Sequence, residues 1–297
     1  MPQVDTVQLD ELDAWRIRHG DAELLVARQG AHILGYQRDG QPPLIWRNEQ
    51  AVFKRGKGIR AGIPICWPWF GNLARNPDSV QAMRQSSEPA SAHGLARTRD
   101  WELLGIAPEG DGLVIEFRLI QPEGGLPGWP HHVELTLQIR LDQQLHLSLT
   151  SHNLGDQPVS ISQALHSYFA VSDVRQVHVE GLEGLTYIET LDDWKPVIQN
   201  GDLRFEGETD RIYLHTPRTL AIVDPTWQRR IRLTSSGSRS AVIWNPWTER
   251  AAQFSDMATD GWQGMLCIET ANVLDDIVTL APGARHSLGL SLDAEAL

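Results

Sequence analysis

The chain has 297 residues, a formal net charge of −12 at pH 7 and two cysteines, and 41% of its residues are hydrophobic. That length and apolar content allow a large core without a second domain, and the negative charge argues against nonspecific binding to nucleic acid or anionic membranes. No apolar run approaches the ~20 residues of a membrane span. Cys66 and Cys267 lack C-x-x-C spacing and read as reduced, buried thiols of a cytoplasmic protein.

The opening "MPQVDTVQLDELDAW" has no basic region followed by an apolar run, so it does not read as a signal peptide. In chain order, strands are predicted around "ELLVARQG" (23–30), "GLVIEFRLIQ" (112–121) and "HVELTLQIRLD" (132–142). In the last of these Val133, Leu135, Leu137, Ile139 and Leu141 share one face. "QLHLSLTSHNLG" (144–155) repeats the pattern, and "DQQ" between the two predicts a hairpin. "SISQALHSYFAVS" (160–172) reads as one continuous strand, with His166 between Ala164 and Tyr168 on one face. Further strands follow in "TLAIVD", "RRIRLTS", "SAVIWN", "GMLCIETAN" and "RHSLGLSLDA". Turn residues interrupt these runs, and no segment holds a helical apolar stripe. The pattern predicts an all-β fold, a large antiparallel β-sandwich with few short helices. No linker or repeat divides it, so residues 1–297 are expected to form a single domain. No apolar surface run suggests an interface, and a monomer is expected.

Several features invite a chemical reading. "KRGKGIR" (54–60) gathers Lys54, Arg55, Lys57 and Arg60 in an acidic protein, as a solvated loop or a local site for a small anion. Of eleven tryptophans, Trp67, Trp69, Trp101, Trp129, Trp244, Trp247 and Trp262 lie in loop-like contexts. Most should pack the core, and a few could present a flat face to a sugar ring. "GKGIRA" (56–61) has the letters of a dinucleotide turn, but Pro64 and Pro68 stand where the helix should begin. His131 and His132 are adjacent and face opposite sides of a strand, a poor chelate, and spacing suggests no metal site. A lone histidine such as His166 is ordinarily a core imidazole with a satisfied hydrogen bond.

Five ordered stretches change that reading: "IRAGIPICWPWFG" (59–71), "SAHGLAR" (91–97), "ALHSYF" (164–169), "ETDRIYL" (208–214) and "CIETA" (267–271). Together they resemble the glucose-6-phosphate 1-epimerases, or hexose-6-phosphate mutarotases, of the galactose-mutarotase-like group, over roughly residues 20–292. The resemblance implies a two-sheet supersandwich and a cofactor-free enzyme that interconverts the α and β anomers of a sugar phosphate. It implies His166 and Glu269 as catalytic residues and His93 and Asp210 as substrate contacts. Arg60 and Arg97 would bind the phosphate. It gives no role to His32 in "QGAHILGY" (29–36) and does not extend to the segment 72–89.

The chemistry asks for such residue types. Ring opening removes the proton on O1 and delivers one to the ring oxygen. The C1–C2 bond then rotates in the open aldehyde, and closure on the other face reverses both transfers. A carboxylate suits the base and an imidazolium the acid, which assigns Glu269 and His166 those roles. With ordinary pKa values the rate would follow a bell with limbs near ~4.3 and ~6.5. Three other readings compete: an aldose 1-epimerase for unphosphorylated sugar, a sugar-binding or sensing module without catalysis, and a lyase or glycoside hydrolase on a similar sandwich. The basic run disfavours the first and the retained His166 and Glu269 the second. The last lacks an identifiable second carboxylate across a scissile bond.

Overall fold

The computed structural model describes residues 2–297. The strands that open the chain form a meander in sequence order: Gln3–Leu9, Leu12–His19, Ala22–Ala27 and His32–Arg38. Gln3–Leu9, Leu12–His19 and His32–Arg38 were not among the expected strands; Gln3–Leu9 has no buried residue and, among the described residues, is an edge strand paired with Leu12–His19 alone.

Nine strands form a back sheet in the order Leu203–Arg204, His178–Glu180, Thr219–Asp224, Arg229–Ser236, Arg285–Ala296, Leu145–Asn153, Val133–Leu141, Gly112–Leu119 and Trp101–Glu109. Its centre contains the expected hairpin, with Leu141 opposite Leu145 and Val133 opposite Asn153. The alternating leucines and isoleucines of both arms are buried. Each such side chain contributes roughly 1.5–3 kcal/mol on leaving water, so a shift by one residue would expose the whole row.

The front sheet runs Lys195–Ile198, Thr186–Glu189, Thr209–Leu214, Ser240–Asn245, Met265–Asn272, Gln163–Leu165 and Ile65–Cys66, with Tyr168–Ala170 also on Met265–Asn272. One core cluster joins the three sheets. Ile17, Leu24 and Ile33 come from the meander, Phe117, Leu137 and Leu290 from the back sheet, and Leu165, Ile243 and Ile268 from the front sheet. Among the described residues, helical structure is limited to short pieces such as Asp78–Gln81 and Trp247–Ala251. The antiparallel sandwich is therefore as expected, with one correction. The run 160–172 is not one strand but three, Val159–Ile161, Gln163–Leu165 and Tyr168–Ala170, and the first pairs with Val278–Leu280 in a separate small sheet. The gap before the third strand falls at His166.

Candidate active site

Antiparallel partners send their side chains to the same face of a sheet. In the front sheet, one row across the strands reads Asp210, Trp244, Cys267, Tyr168. The neighbouring row on the same face reads Ile212, Val242, Glu269. Continuing the register between Leu165↔Thr270 and Tyr168↔Cys267 brings His166 opposite Glu269. At that point the ladder opens. Ser167 N–H turns back to the Leu165 carbonyl at 2.9 Å, and His166 N–H donates to the Pro64 carbonyl at 3.0 Å. The turn lets the imidazole lean over the sheet, where it stacks on Tyr168 at 4.9 Å with 10° between planes. His166 Nε2 stands 3.3 Å from Glu269 Oε1. The other polar atoms of the pair, His166 Nδ1 and Glu269 Oε2, are buried without a hydrogen-bond partner. Buried atoms of this kind are costly unless something else satisfies them.

These two residues sit in the floor of a cleft of about 820 Å³ that is also lined by Arg60, His93, Arg97 and Asp210. The six site residues expected from the sequence, spread over more than 200 positions, therefore meet in one cleft. Their protonation departs from the ordinary. Burial pushes the Glu269 carboxyl well up, and Asp210 adds to this by repulsion. Burial pushes His166 well down, helped by His93 and Arg97. Both shifts favour a neutral imidazole beside a neutral carboxyl over the ion pair that ordinary values would give. Asp210 bears on Glu269 and not on His166. Its own pKa is raised to about 6, by burial first and then by Glu189 and Glu208.

The wall above His166 is the loop carrying "SAHGLAR". His93 and Gly94 both adopt positive φ, +61° and +74°, which turns the His93 ring edge-on to His166 at 5.3 Å. Its Nδ1 lies 3.2 Å from Cys66 Sγ and accepts from Gly71 N–H at 3.3 Å. Arg97 follows, with Nη2 donating to the Ala92 carbonyl and Nε buried and unpartnered. Arg60 places its guanidinium carbon over Phe254, 3.7 Å from the ring centroid, and its Nε donates to Asp256 at 3.1 Å. The basic run is thus divided. Only Arg60 lines the cleft, while Lys54, Arg55 and Lys57 are exposed, and Arg55 approaches Asp100 at 3.8 Å.

Several lining residues escaped the sequence reading. Two more arginines, Arg75 and Arg250, reach the cleft, and of its four arginines only Arg60 forms an ion pair among the described residues. Arg75 belongs to the segment 72–89, where Asn72, Arg75 and Asn76 form part of the rim, and its guanidinium stands 5.1 Å over Trp194. Nothing in "LDDWKP" marks Trp194. Trp244, one of the tryptophans considered for a sugar face, does line the cleft, but from strand Ser240–Asn245 rather than from a loop, on the face of Val242 and beside the strand that bears Glu269. Trp67, Trp69, Trp101 and Trp129 are core residues. His32 is also buried outside the cleft, its Nε2–H donating to the Ala61 carbonyl at 2.7 Å.

With this geometry in view, the similarities to known proteins are informative. The aldose 1-epimerase family model matches residues 13–293. The Escherichia coli (strain K12) protein named "Putative glucose-6-phosphate 1-epimerase" is 33% identical over 271 residues, 91% of this chain and 86% of that one. A crystal structure titled as that of a putative mutarotase from Salmonella typhimurium superposes with a TM-score of 0.88 at 29% identity, covering 99% of this chain and 94% of the other. A galactose mutarotase-like protein from Clostridium acetobutylicum has a TM-score of 0.74 at 15% identity, with 99% of each chain covered, and shares the fold. A sandwich of this topology and a family match over nearly its whole length lead to one conclusion: the chain belongs to the aldose 1-epimerase family.

Proposed function

We propose that this protein is a hexose-6-phosphate mutarotase, with glucose 6-phosphate as the substrate to test first. The observation that carries the reading is the His166–Glu269 pair at 3.3 Å in a cleft that also holds Arg60 and Arg97. Glu269 takes the proton from O1 as the bond between C1 and the ring oxygen breaks, and His166 delivers a proton to that oxygen. After rotation about C1–C2 the two transfers run backwards, so no proton or electron is gained or lost over the cycle. The pair carries one exchangeable proton in either its neutral or its ionic arrangement. Hydrogen bonds from sugar hydroxyls to the pair offset the burial that disfavours the ionic one. Asp210 accepts from a sugar hydroxyl, and Trp244 offers it an apolar face.

Phosphate recognition must come from local cations, because the whole chain carries a net charge of −12 and repels a dianion. Arg97 retains unpaired guanidinium N–H groups beside His93, and Arg60 keeps its terminal nitrogens after bonding Asp256 through Nε. A planar fork of donors suits phosphate oxygens. The name of the Escherichia coli relative agrees with this substrate. The deciding experiment follows the optical rotation of pure α-glucose 6-phosphate with and without the protein, against α-glucose as control. Faster approach to equilibrium for the phosphate alone supports the reading. Equal acceleration of both sugars would make the protein a general aldose 1-epimerase.

A further inference from the structure

Cys66 occupies strand Ile65–Cys66, fully buried in a small cluster with Ala164, Ile212, Val242, Ala271 and Val273. On packing alone Ala or Val would fill this place. What a cysteine adds is the sulfur, which lies 3.2 Å from His93 Nδ1. We propose that Cys66 is a positioning residue of the sugar site, whose thiol donates to His93 Nδ1 and so keeps the His93 proton on Nε2, on the cleft side of the ring.

The direction of that hydrogen bond follows from a third group. Gly71 N–H lies 3.3 Å from the same Nδ1. An amide N–H can only donate, so this contact favours a lone pair on Nδ1, but at 3.3 Å it is too long to hold the tautomer by itself, and the sulfur at 3.2 Å acts as the second donor. Burial pushes the Cys66 thiol up and keeps its proton in place. Burial also brings the His93 pKa down to about 3, so the ring is neutral and carries a single proton. With Nδ1 occupied by two donors, that proton resides on Nε2. Contacts with Phe70 at 5.0 Å and His166 at 5.3 Å, both edge to face, hold the ring plane. His93 therefore offers a donor to a sugar oxygen, where the other tautomer would offer a lone pair. No donor from the sheet replaces Cys66: Ala164, its strand neighbour, carries only a methyl group.

The inference rests on the proposed role of His93 in sugar binding, and the test separates the two. Wild type, Cys66→Ala and Cys66→Ser are labelled with 15N-histidine, with His93→Gln to assign the His93 signals. Ring 15N shifts are read alongside kcat and KM for α-glucose 6-phosphate, and melting curves confirm that each variant folds. The expected result is the Nε2–H tautomer in wild type. In Cys66→Ala the Nδ1 signal moves toward a protonated nitrogen and KM rises about 5-fold, the scale of one neutral hydrogen bond, with little change in kcat. Cys66→Ser, which keeps a donor, restores both. A wild-type His93 protonated on Nδ1 overturns the proposal, as does a folded Cys66→Ala with unaltered His93 shifts, or Cys66→Ser no better than Cys66→Ala. Absence of anomerase activity in wild type would instead overturn the proposed function, while the His93 tautomer still decides this proposal.

Discussion

His166, in the break between two short strands, stands across from Glu269 on the strand that both of them pair with, Nε2 to Oε1 at 3.3 Å, and each keeps one buried polar atom without a partner. A pair placed for packing would be expected to close that account within the protein, since an unsatisfied buried group costs about 1–3 kcal/mol. A pair left unsatisfied beneath the floor of a cleft suits groups held for chemistry rather than for packing. His166→Ala and Glu269→Gln should therefore each lower kcat by at least ~10²-fold, the usual scale for acid–base groups. A folded variant with wild-type activity would remove that residue from the scheme.

Glu269 also ties activity to stability. Its folded pKa lies well above the unfolded value near 4.5, so the folded state holds its proton more tightly. The contribution of that group is fully present below pH 4.5 and is lost as pH rises toward the folded pKa. Gln has no proton to lose. Glu269→Gln should accordingly melt at or above the wild-type temperature at pH 8, where the wild type is penalised most. Melting curves at pH 5 and pH 8 check this, and a variant that is less stable only at pH 8 would contradict it.

The burial of the pair changes the expected pH profile. Ordinary values predict a narrow bell, with activity falling above about pH 6.5. With His166 shifted down and Glu269 shifted up, the acid limb moves below 6.5 and the alkaline limb well above 4.5, and both belong to the pair. We expect kcat to be level through neutrality. KM should instead rise as pH falls below about 6, where Asp210 takes up a proton and loses the charge that strengthens its bond to the sugar. Asp210→Asn should remove that dependence. A kcat that declines steadily from pH 6.5 to 8, with chemistry rate-limiting, would show that the pair titrates as exposed groups do.

The arginines separate phosphate recognition from sugar recognition. Charged hydrogen bonds contribute roughly 1.5–3 kcal/mol each, so Arg97→Ala should lower kcat/KM for glucose 6-phosphate by about 10- to 150-fold and scarcely alter any activity on glucose. Arg60→Ala should behave likewise, although it also leaves Asp256 without its partner. Lys54→Ala and Lys57→Ala, outside the cleft, should change little once salt is fixed. Equal losses on both sugars for Arg97→Ala would mean that the phosphate is held elsewhere, with Arg75 and Arg250 the remaining cationic side chains of the cleft.

Gly94 holds the loop that delivers His93. Its φ is +74°, and an added Cβ would lie 2.1 Å from the Trp67 carbonyl oxygen, a backbone atom that cannot step aside. Gly94→Ala should cost about 3 kcal/mol or more, combining a strained backbone with a close contact. Chemical denaturation measures it. Wild-type stability in this variant would show that the loop repacks freely.

Strand pattern, turn spacing and the hairpin at 132–155 were legible in the sequence because alternation reports directly which face of a strand is buried. The motifs "ALHSYF" and "CIETA" likewise pointed to His166 and Glu269 through resemblance. What one chain of letters could not carry was distance. The register that sets His166 across from Glu269, the break in the strand that frees its ring, and the withdrawal of both groups from water depend on partners more than a hundred positions away. Lys54, Arg55, Lys57 and Arg60 are equally basic in the sequence, yet only the last turns into the cleft. Arg75 and Trp194, unremarkable in their own segments, meet over its rim. Composition and local pattern determined the sandwich. The side chains that face the ligand, and their protonation, were decided by which distant strands share a face and how much water they exclude.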